Sequence, residues 1–175
     1  KYELIHVTIY NEYSGYIKLR EILKMFYNTG VGVVLSLDCD AMITNHDITI
    51  ESFLEDGKDF FITKDFNGVN AGTFIIRKSE WSIWFLEWLL KCEGNAGMFC
   101  EQNAIEFFLK LFPNDDKIKM LPQRSINSYH YHLYQEIPPQ NHEQGNWEES
   151  DFILHLPGIG IDKRIEIFKE TKITA

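Results

Sequence analysis

The sequence is poor in the features that would make several common functions readable. Its three cysteines, Cys39, Cys92 and Cys100, form no CxxC pair. That spacing excludes a zinc knuckle, and the odd number indicates no disulfide framework, so all three read as small buried residues. No apolar run approaches the roughly 20 residues that a bilayer crossing needs, so no membrane span is expected in this chain. Lys1-Tyr2-Glu3-Leu4 is not the start of a signal peptide, and no Asn-x-Ser/Thr sequon occurs. Neither GxGxxG, GxxxxGK[ST] nor GxSxG is present, so a dinucleotide fold, a P-loop and a serine hydrolase are unsupported. Positive charge is short as well: 17 Lys and Arg stand against 26 Asp and Glu, a net charge of −9. Gripping a nucleic-acid backbone calls for the opposite balance, so nucleic acid is not an expected partner. An acidic protein binds an anionic ligand only where something local inverts the charge, as a divalent cation does.

What remains is a chain of 175 residues with 45% hydrophobic positions. That suits one domain over 1–175 with a full core. Leu4 to Ile9 reads as a strand and Tyr16 to Tyr27 as a helix, with Ile17, Leu19, Ile22, Leu23 and Phe26 at helical spacing. Val31 to Leu37 is a near-continuous apolar run of the kind that suits a central strand buried on both faces. The β-α-β order predicts an α/β fold with a mainly parallel central sheet flanked by helices. Further on, Asp47 caps a short helix over Ile48 to Glu55, and Phe60 to Thr63 and Thr73 to Ile76 read as strands. Ser79 caps a helix through Cys92, with Trp81, Trp84, Phe85, Trp88 and Leu89 on its apolar side. Glu101 to Phe112 is a second apolar helix, and Lys117 to Leu121 a strand. Ser125 to Ser150 reads as a long polar surface loop, before a short strand over Phe152 to Leu156 and a closing helix over Ile161 to Lys169.

Four constellations carry chemistry. Asp38-Cys39-Asp40 follows the apolar strand, where ligands of open α/β sheets bind, and residues two apart on an extended segment point the same way. Paired carboxylates there suit a hard divalent cation. Asn67-Gly68-Val69-Asn70-Ala71-Gly72 has the outward form of a turn, with glycines that let a ligand approach the backbone. Glu101-Gln102 opens a helix, where free N–H groups and the positive dipole end are available. His155, directly after the last strand, is a potential imidazole ligand for a Mn-class ion if it faces the aspartates.

Taken in order, LSLDCDAMITN, GVNAGTFIIRKSEWS, EQNAIEFFL, LPQRSINSY and DFILHLPG resemble a known family. It is the galactosyl-, mannosyl- and xylosyltransferase family that includes fungal α-galactosyltransferases, yeast mannan-synthesising α-mannosyltransferases and plant xyloglucan xylosyltransferases. The resemblance covers roughly Tyr16 to Gly158. It implies a GT-A-like nucleotide-diphospho-sugar transferase fold and transfer of a sugar from a UDP- or GDP-sugar donor to a glycan or glycoprotein acceptor. Retention at the anomeric carbon and a Mn²⁺ cofactor, with Mg²⁺ as the alternative ion, are implied too.

By position, the resemblance makes Asp38, Asp40 and His155 the metal ligands. It puts Asp38, Glu101 and Gln102 at the reacting sugar, and Lys18, Asn70, Ala71, Gly72, Gly158 and Lys163 along the substrate. The family has an upstream strand that opens the nucleotide pocket, and this chain is expected to start after it or to have lost it. An upstream anchor would place the protein in the Golgi lumen, whereas a complete, viral or bacterial chain would be cytoplasmic. The competing reading is a non-catalytic nucleotide-sugar or glycan-binding domain derived from the same fold.

Overall fold

The computed structural model describes residue 3 and residues 14–95, 97, 100–130 and 145–174. The strand expected over Leu4 to Ile9, and residues 131–144 of the loop expected over Ser125 to Ser150, lie outside the described residues. The chain divides into two compact units, Lys1–Val34 with Arg77–Asp115 and Leu35–Ile76 with Asp116–Ala175.

The first unit is helical. Helix α1 (Ser14–Asn28) buries Tyr16, Leu19, Ile22 and Phe26, the stripe that its apolar spacing predicts. Helix α2 (Glu80–Lys91) begins at Ser79 as expected. The Ser79 hydroxyl accepts from the Ser82 N–H at 3.0 Å, and the Ser82 hydroxyl accepts from the Ser79 N–H at 2.8 Å. This reciprocal capping box satisfies two orphan donors and is worth about 1 kcal/mol. Helix α3 (Glu101–Leu111) buries Glu101, Ala104, Ile105 and Phe108. The Phe108 ring is the hub of the unit: its centroid lies 4.8 Å from Phe85, 5.1 Å from Trp88 and 5.8 Å from Trp84. The tryptophans thus pack rings, as their helical spacing suggests, although Trp84 keeps 45% of its surface exposed.

The second unit is built on sheet. Strands β1 (Val33–Leu37), β3 (Phe60–Asp65), β4 (Gly68–Arg77) and β5 (Ile118–Leu121) form one sheet in the order β1-β4-β3-β5. Strand β2 (Ala41–Ile43), β6 (Ser128–Tyr129) and β7 (Ile153–His155) form another in the order β2-β7-β6. A 3-10 turn over Ile50–Phe53 follows Thr49, in place of the helix expected after Asp47.

Among the described strands, each sheet joins a parallel and an antiparallel pairing: β3 pairs parallel with β5 but antiparallel with β4, and β7 pairs parallel with β6 but antiparallel with β2. The hairpin turn between Asp65 and Gly68 is too short for the crossover that a parallel neighbour needs. One expectation changes here. The strand buried throughout is β4, not β1. Val69 to Ile76 are all buried, whereas β1 is mostly half-buried and ends the strand order among the described residues.

The stretch expected as a surface loop from Ser125 contains the short helix α4 (Gln123–Ile126) and the buried β6. Asp151 ties this region down. Its carboxylate accepts from Arg124 Nε at 3.1 Å, Arg124 Nη2 at 2.8 Å, the Ser128 hydroxyl at 2.8 Å and the Glu148 N–H at 3.0 Å. Its carbonyl accepts from the Thr44 hydroxyl at 2.7 Å. Four charge-assisted bonds on one carboxylate help to offset the cost of burying this polar segment. Helix α5 (Ile161–Glu170) closes the unit, burying Ile167 against Leu154 and Leu156.

Candidate active site

The candidate site grows from the end of β1. Its last residue is followed by the Asp38-Cys39-Asp40 turn, closed by the Ala41 N–H donating to the Asp38 carbonyl at 3.0 Å. Two long-range backbone bonds fix this turn. The Asp38 N–H donates to the Gly72 carbonyl at 2.8 Å, and the Leu156 N–H donates to the Asp40 carbonyl at 2.8 Å. The β2–β7 register places Ala41 opposite His155, so Asp40 and His155 meet across the ladder. His155 Nε2 lies 3.2 Å from Asp40 Oδ1.

Both groups are sheltered: His155 is 2% exposed and the Asp40 side chain 14%. Asn127 Oδ1 contacts His155 Nδ1 at 2.6 Å. An amide oxygen can only accept, so Nδ1 carries the proton and Nε2 is the nitrogen that faces Asp40. Burial pushes the Asp40 carboxyl upward. The hydrogen bond and charge of His155 and the charge of Arg164 outweigh it and hold the group below the usual carboxylate range. Arg164, on α5, reaches the other Asp40 oxygen at 3.4 Å.

Space at the pair is set by Gly72. A Cβ there would fall 2.3 Å from His155 Cε1 and 2.9 Å from Nε2, so only glycine fits the backbone beside the ring. Gly72 lies on an irregularity of β4: Ile62 pairs with Phe74 while the next residue, Thr63, pairs with Asn70. Ala71, Gly72 and Thr73 are the surplus residues of that bulge, and a bulge re-aims backbone toward a site. The segment expected as a turn is therefore the bulged heart of a strand. Asn70 is buried there. Its Oδ1 accepts from the Gly72 N–H at 2.9 Å, and its Nδ2 donates to the Tyr129 hydroxyl at 2.7 Å and to Asp65 Oδ2 at 3.1 Å.

Asp40 and His155 suit a divalent cation in type and separation. Two ligands at about 2.1 Å from an octahedral ion stand about 3 Å apart, close to the observed distance. Asn127 supplies the orienting bond that metal-bound histidines need. Among the described residues, no group of three or more His, Cys, Asp or Glu side chains is gathered to hold an ion. Asp38 adjoins the pair in sequence and through its backbone bond to Gly72, and is a second carboxylate beside it.

The other expected residues are described within their own units. In the helical unit, Lys18 Nζ and Glu101 Oε1 form an ion pair at 2.7 Å with side chains 15% and 8% exposed. Glu101 fills the space left by Gly15, where a Cβ would overlap its carboxylate at 1.4 Å. Gln102 is half-buried beside it on α3. In the sheet unit, Gly158 is exposed with φ of 75°. Lys163 pairs with Glu166 on its own helix at 3.0 Å. The basic side chain that α5 brings to Asp40 is Arg164, one position on. Cys39, expected buried, is exposed between the two aspartates. Asp65, Asn127, Tyr129 and Arg164 had no assigned role from sequence. Asn127 and Tyr129 belong to the LPQRSINSY stretch, whose pattern was visible but whose partners were not.

The model of the galactosyl transferase GMA12/MNN10 family matches residues 55–165. This chain belongs to that family. Among curated GMA12/MNN10 relatives it is similar to the Schizosaccharomyces pombe protein named probable alpha-1,2-galactosyltransferase gmh1. The two are 35% identical over 109 residues, 60% of this chain and 30% of that one. It is also similar to the Saccharomyces cerevisiae protein named probable alpha-1,6-mannosyltransferase MNN10, at 28% identity over 109 residues, 57% of this chain and 27% of that one. The matched region thus spans less than a third of these relatives' length. Among solved structures, a glycosyltransferase involved in glycosylation of the major capsid of PBCV-1 superposes with a TM-score of 0.66. It shares 13% identity over 96% of this chain and 81% of that one. The galactosyltransferase LgtC, solved with donor and acceptor sugar analogues, superposes at 0.54 with 16% identity over 95% and 72%. This likeness shows a GT-A fold for the family member described here.

Proposed function

We propose that this chain forms the donor-binding and metal-binding part of a glycosyltransferase. It moves a sugar from a nucleoside diphosphate-sugar to an acceptor hydroxyl, with retention at the anomeric carbon. The observation that carries the reading is the Asp40–His155 pair, 3.2 Å apart, with the far ring nitrogen against Asn127. A sheltered carboxylate facing an imidazole nitrogen, with glycine backbone beside the ring, is an arrangement that suits two ligands of one cation. Mn²⁺, or Mg²⁺, would be held by Asp40 and His155 with Asp38 as the third ligand. When bound, such an ion supplies Lewis-acid stabilisation to a departing diphosphate and offsets the negative charge of the protein.

The chain's own residues do the rest. Asn127 fixes the tautomer and plane of His155, and the β2–β7 ladder fixes its distance to Asp40. The Arg164 guanidinium is a mobile-length cation beside Asp40, suited to steady negative charge in the same place. Gln102 is assigned to the transferred sugar, where its amide can stabilise positive charge on the ring. The donor is a UDP- or GDP-hexose or pentose and the acceptor a glycan hydroxyl. Among the described residues no helix is long and apolar enough to cross a membrane.

The deciding experiment incubates purified protein with UDP-galactose, UDP-xylose, UDP-glucose or GDP-mannose, with Mn²⁺ and with chelator. Turnover of one donor that disappears in chelator and falls about 10³-fold or more in Asp40→Asn is expected, a loss of about 4 kcal/mol of barrier lowering. Unchanged turnover in chelator would refute the metal assignment. Donor binding without hydrolysis or transfer would point to a non-catalytic binding domain.

A further inference from the structure

Asp65 lies at the end of β3, seven positions before Gly72 by sequence number and remote from Asp38 and His155, yet its carboxylate joins both sides of the candidate site. Oδ1 accepts from the Asn67 N–H at 2.6 Å and closes the β3–β4 turn. Oδ2 accepts from Asn70 Nδ2 at 3.1 Å and from the Tyr129 hydroxyl. From there two arms run to the site. One goes through Asn70 Oδ1 to the Gly72 N–H at 2.9 Å, and through the Gly72 carbonyl to the Asp38 N–H at 2.8 Å. The other goes through the Tyr129 ring, which meets His155 edge-on at 5.6 Å and 69°.

The chemistry of the donors makes the choice of carboxylate specific. Asn67, Asn70 and Tyr129 all present hydrogens, and an ionised carboxylate is acceptor-only. An amide at this position keeps one accepting oxygen, so it can serve the turn or the Asn70–Tyr129 pair but not both. Asn70 in turn commits both its amide hydrogens and an oxygen lone pair to the protein. It is a strut of the bulge.

We propose that Asp65 is a positioning residue whose carboxylate, by holding Asn70 and Tyr129, fixes both the Gly72 bulge that carries Asp38 and the face of His155. The inference deepens the metal-site reading above and rests on it for its functional consequence. Outer partners of this kind alter metal affinity or activity by about 10- to 100-fold when removed.

The test uses the whole chain and two readouts. Mn²⁺ alone is titrated and followed by the free-ion electron paramagnetic resonance signal, and the His155 ring nitrogens are followed by long-range ¹H–¹⁵N correlation. Asp65→Asn is expected to weaken Mn²⁺ binding at least 10-fold and to move the His155 ring signals. Tyr129→Phe, which keeps the ring but drops the hydroxyl, is expected to move the same signals with a smaller loss of affinity. It also serves as the deciding variant if Asp65→Asn does not fold. A purely structural role would lower the melting temperature and leave the ring signals in place, and that result overturns the proposal. If the unsubstituted chain binds no Mn²⁺, the metal reading fails by itself, and the ring signals still decide whether Asp65 positions His155.

Discussion

The two units of the chain solve burial in opposite ways. The helical unit fills its interior with rings: Phe108 alone meets Trp81, Trp84, Phe85, Trp88 and Phe112. Among the described residues, Lys18 with Glu101 is a sheltered ion pair between α1 and α3. The sheet unit buries Thr63, Asn70, Asn127, Ser128, Asp151 and His155 alongside its apolar residues. Ring packing is non-directional and tolerant, whereas buried polar groups must each find a partner at a set angle. A molecule that concentrates its polar burial in one region gains a place where directional contacts fix side-chain geometry. Geometry of that kind is what the proposed metal and sugar chemistry would use.

Substitutions can break this division. Phe108→Ala should be the most damaging single change, removing the hub of five ring contacts. A loss of about 3–5 kcal/mol is expected for a buried phenylalanine, read by chemical denaturation. A loss below about 1 kcal/mol would show that the rings are not the unit's main support. Gly72→Ala tests the sheet unit in the other sense. It should leave most of the fold but force the bulge away from His155. A misplacement of about 1 Å can cost about 10²-fold in turnover. Full turnover with normal KM would mean that the close approach of Gly72 to the ring has no functional value.

Smaller effects are expected from pH, at opposite ends of the scale for the two units. Tyr16, buried in the helical unit and near Cys92, Cys100, Glu101 and Glu93, has its phenol pushed up to about 12. The unfolded chain ionises first, near pH 10, so the contribution of Tyr16 is complete below pH 10 and lost between about 10 and 12. Asp40 is shifted the other way. Burial raises its carboxyl, but His155 and Arg164 lower it further. Its contribution is complete above the unfolded value of about 3.9 and is lost as pH falls through the lower folded value. Tyr16→Phe should flatten the alkaline limb of a stability–pH curve, and Asp40→Asn the acid limb. If each substitution flattened the other limb instead, the assignment of these groups would be wrong.

Much of this division was legible in sequence, for identifiable reasons. The helices follow a 3.6-residue apolar period, and Ser79 announces the start of α2 by its own side chain. Asp38, Asp40 and His155 could be singled out because the first two follow an apolar strand and the third ends one. The β4 bulge was not legible, because Asn70-Ala71-Gly72 has the composition of a turn. What makes it a strand is burial between β1 and β3. Ser128 and Tyr129 were read as loop for the same reason: polar residues look exposed until their partners, Asp151 for one and Asp65 with Asn70 for the other, are known. Arg164 drew no expectation because sequence order does not say which side of a helix faces inward. Partner identity across long sequence separations is a tertiary property, and local pattern does not carry it.

The hydrogen bond from Thr44 to Asp151 joins positions 107 apart, and the Ala41–His155 pairing and the Arg164 contact to Asp40 span comparable lengths. During synthesis at about 5–20 residues per second, the aspartate turn therefore emerges from the ribosome seconds before the histidine and arginine that complete it. Loop closure over such a length is slow compared with local helix formation. The helices of the first unit can thus form while Asp38 and Asp40 still await their partners, and competence for chemistry would be among the last properties that a newly made molecule acquires.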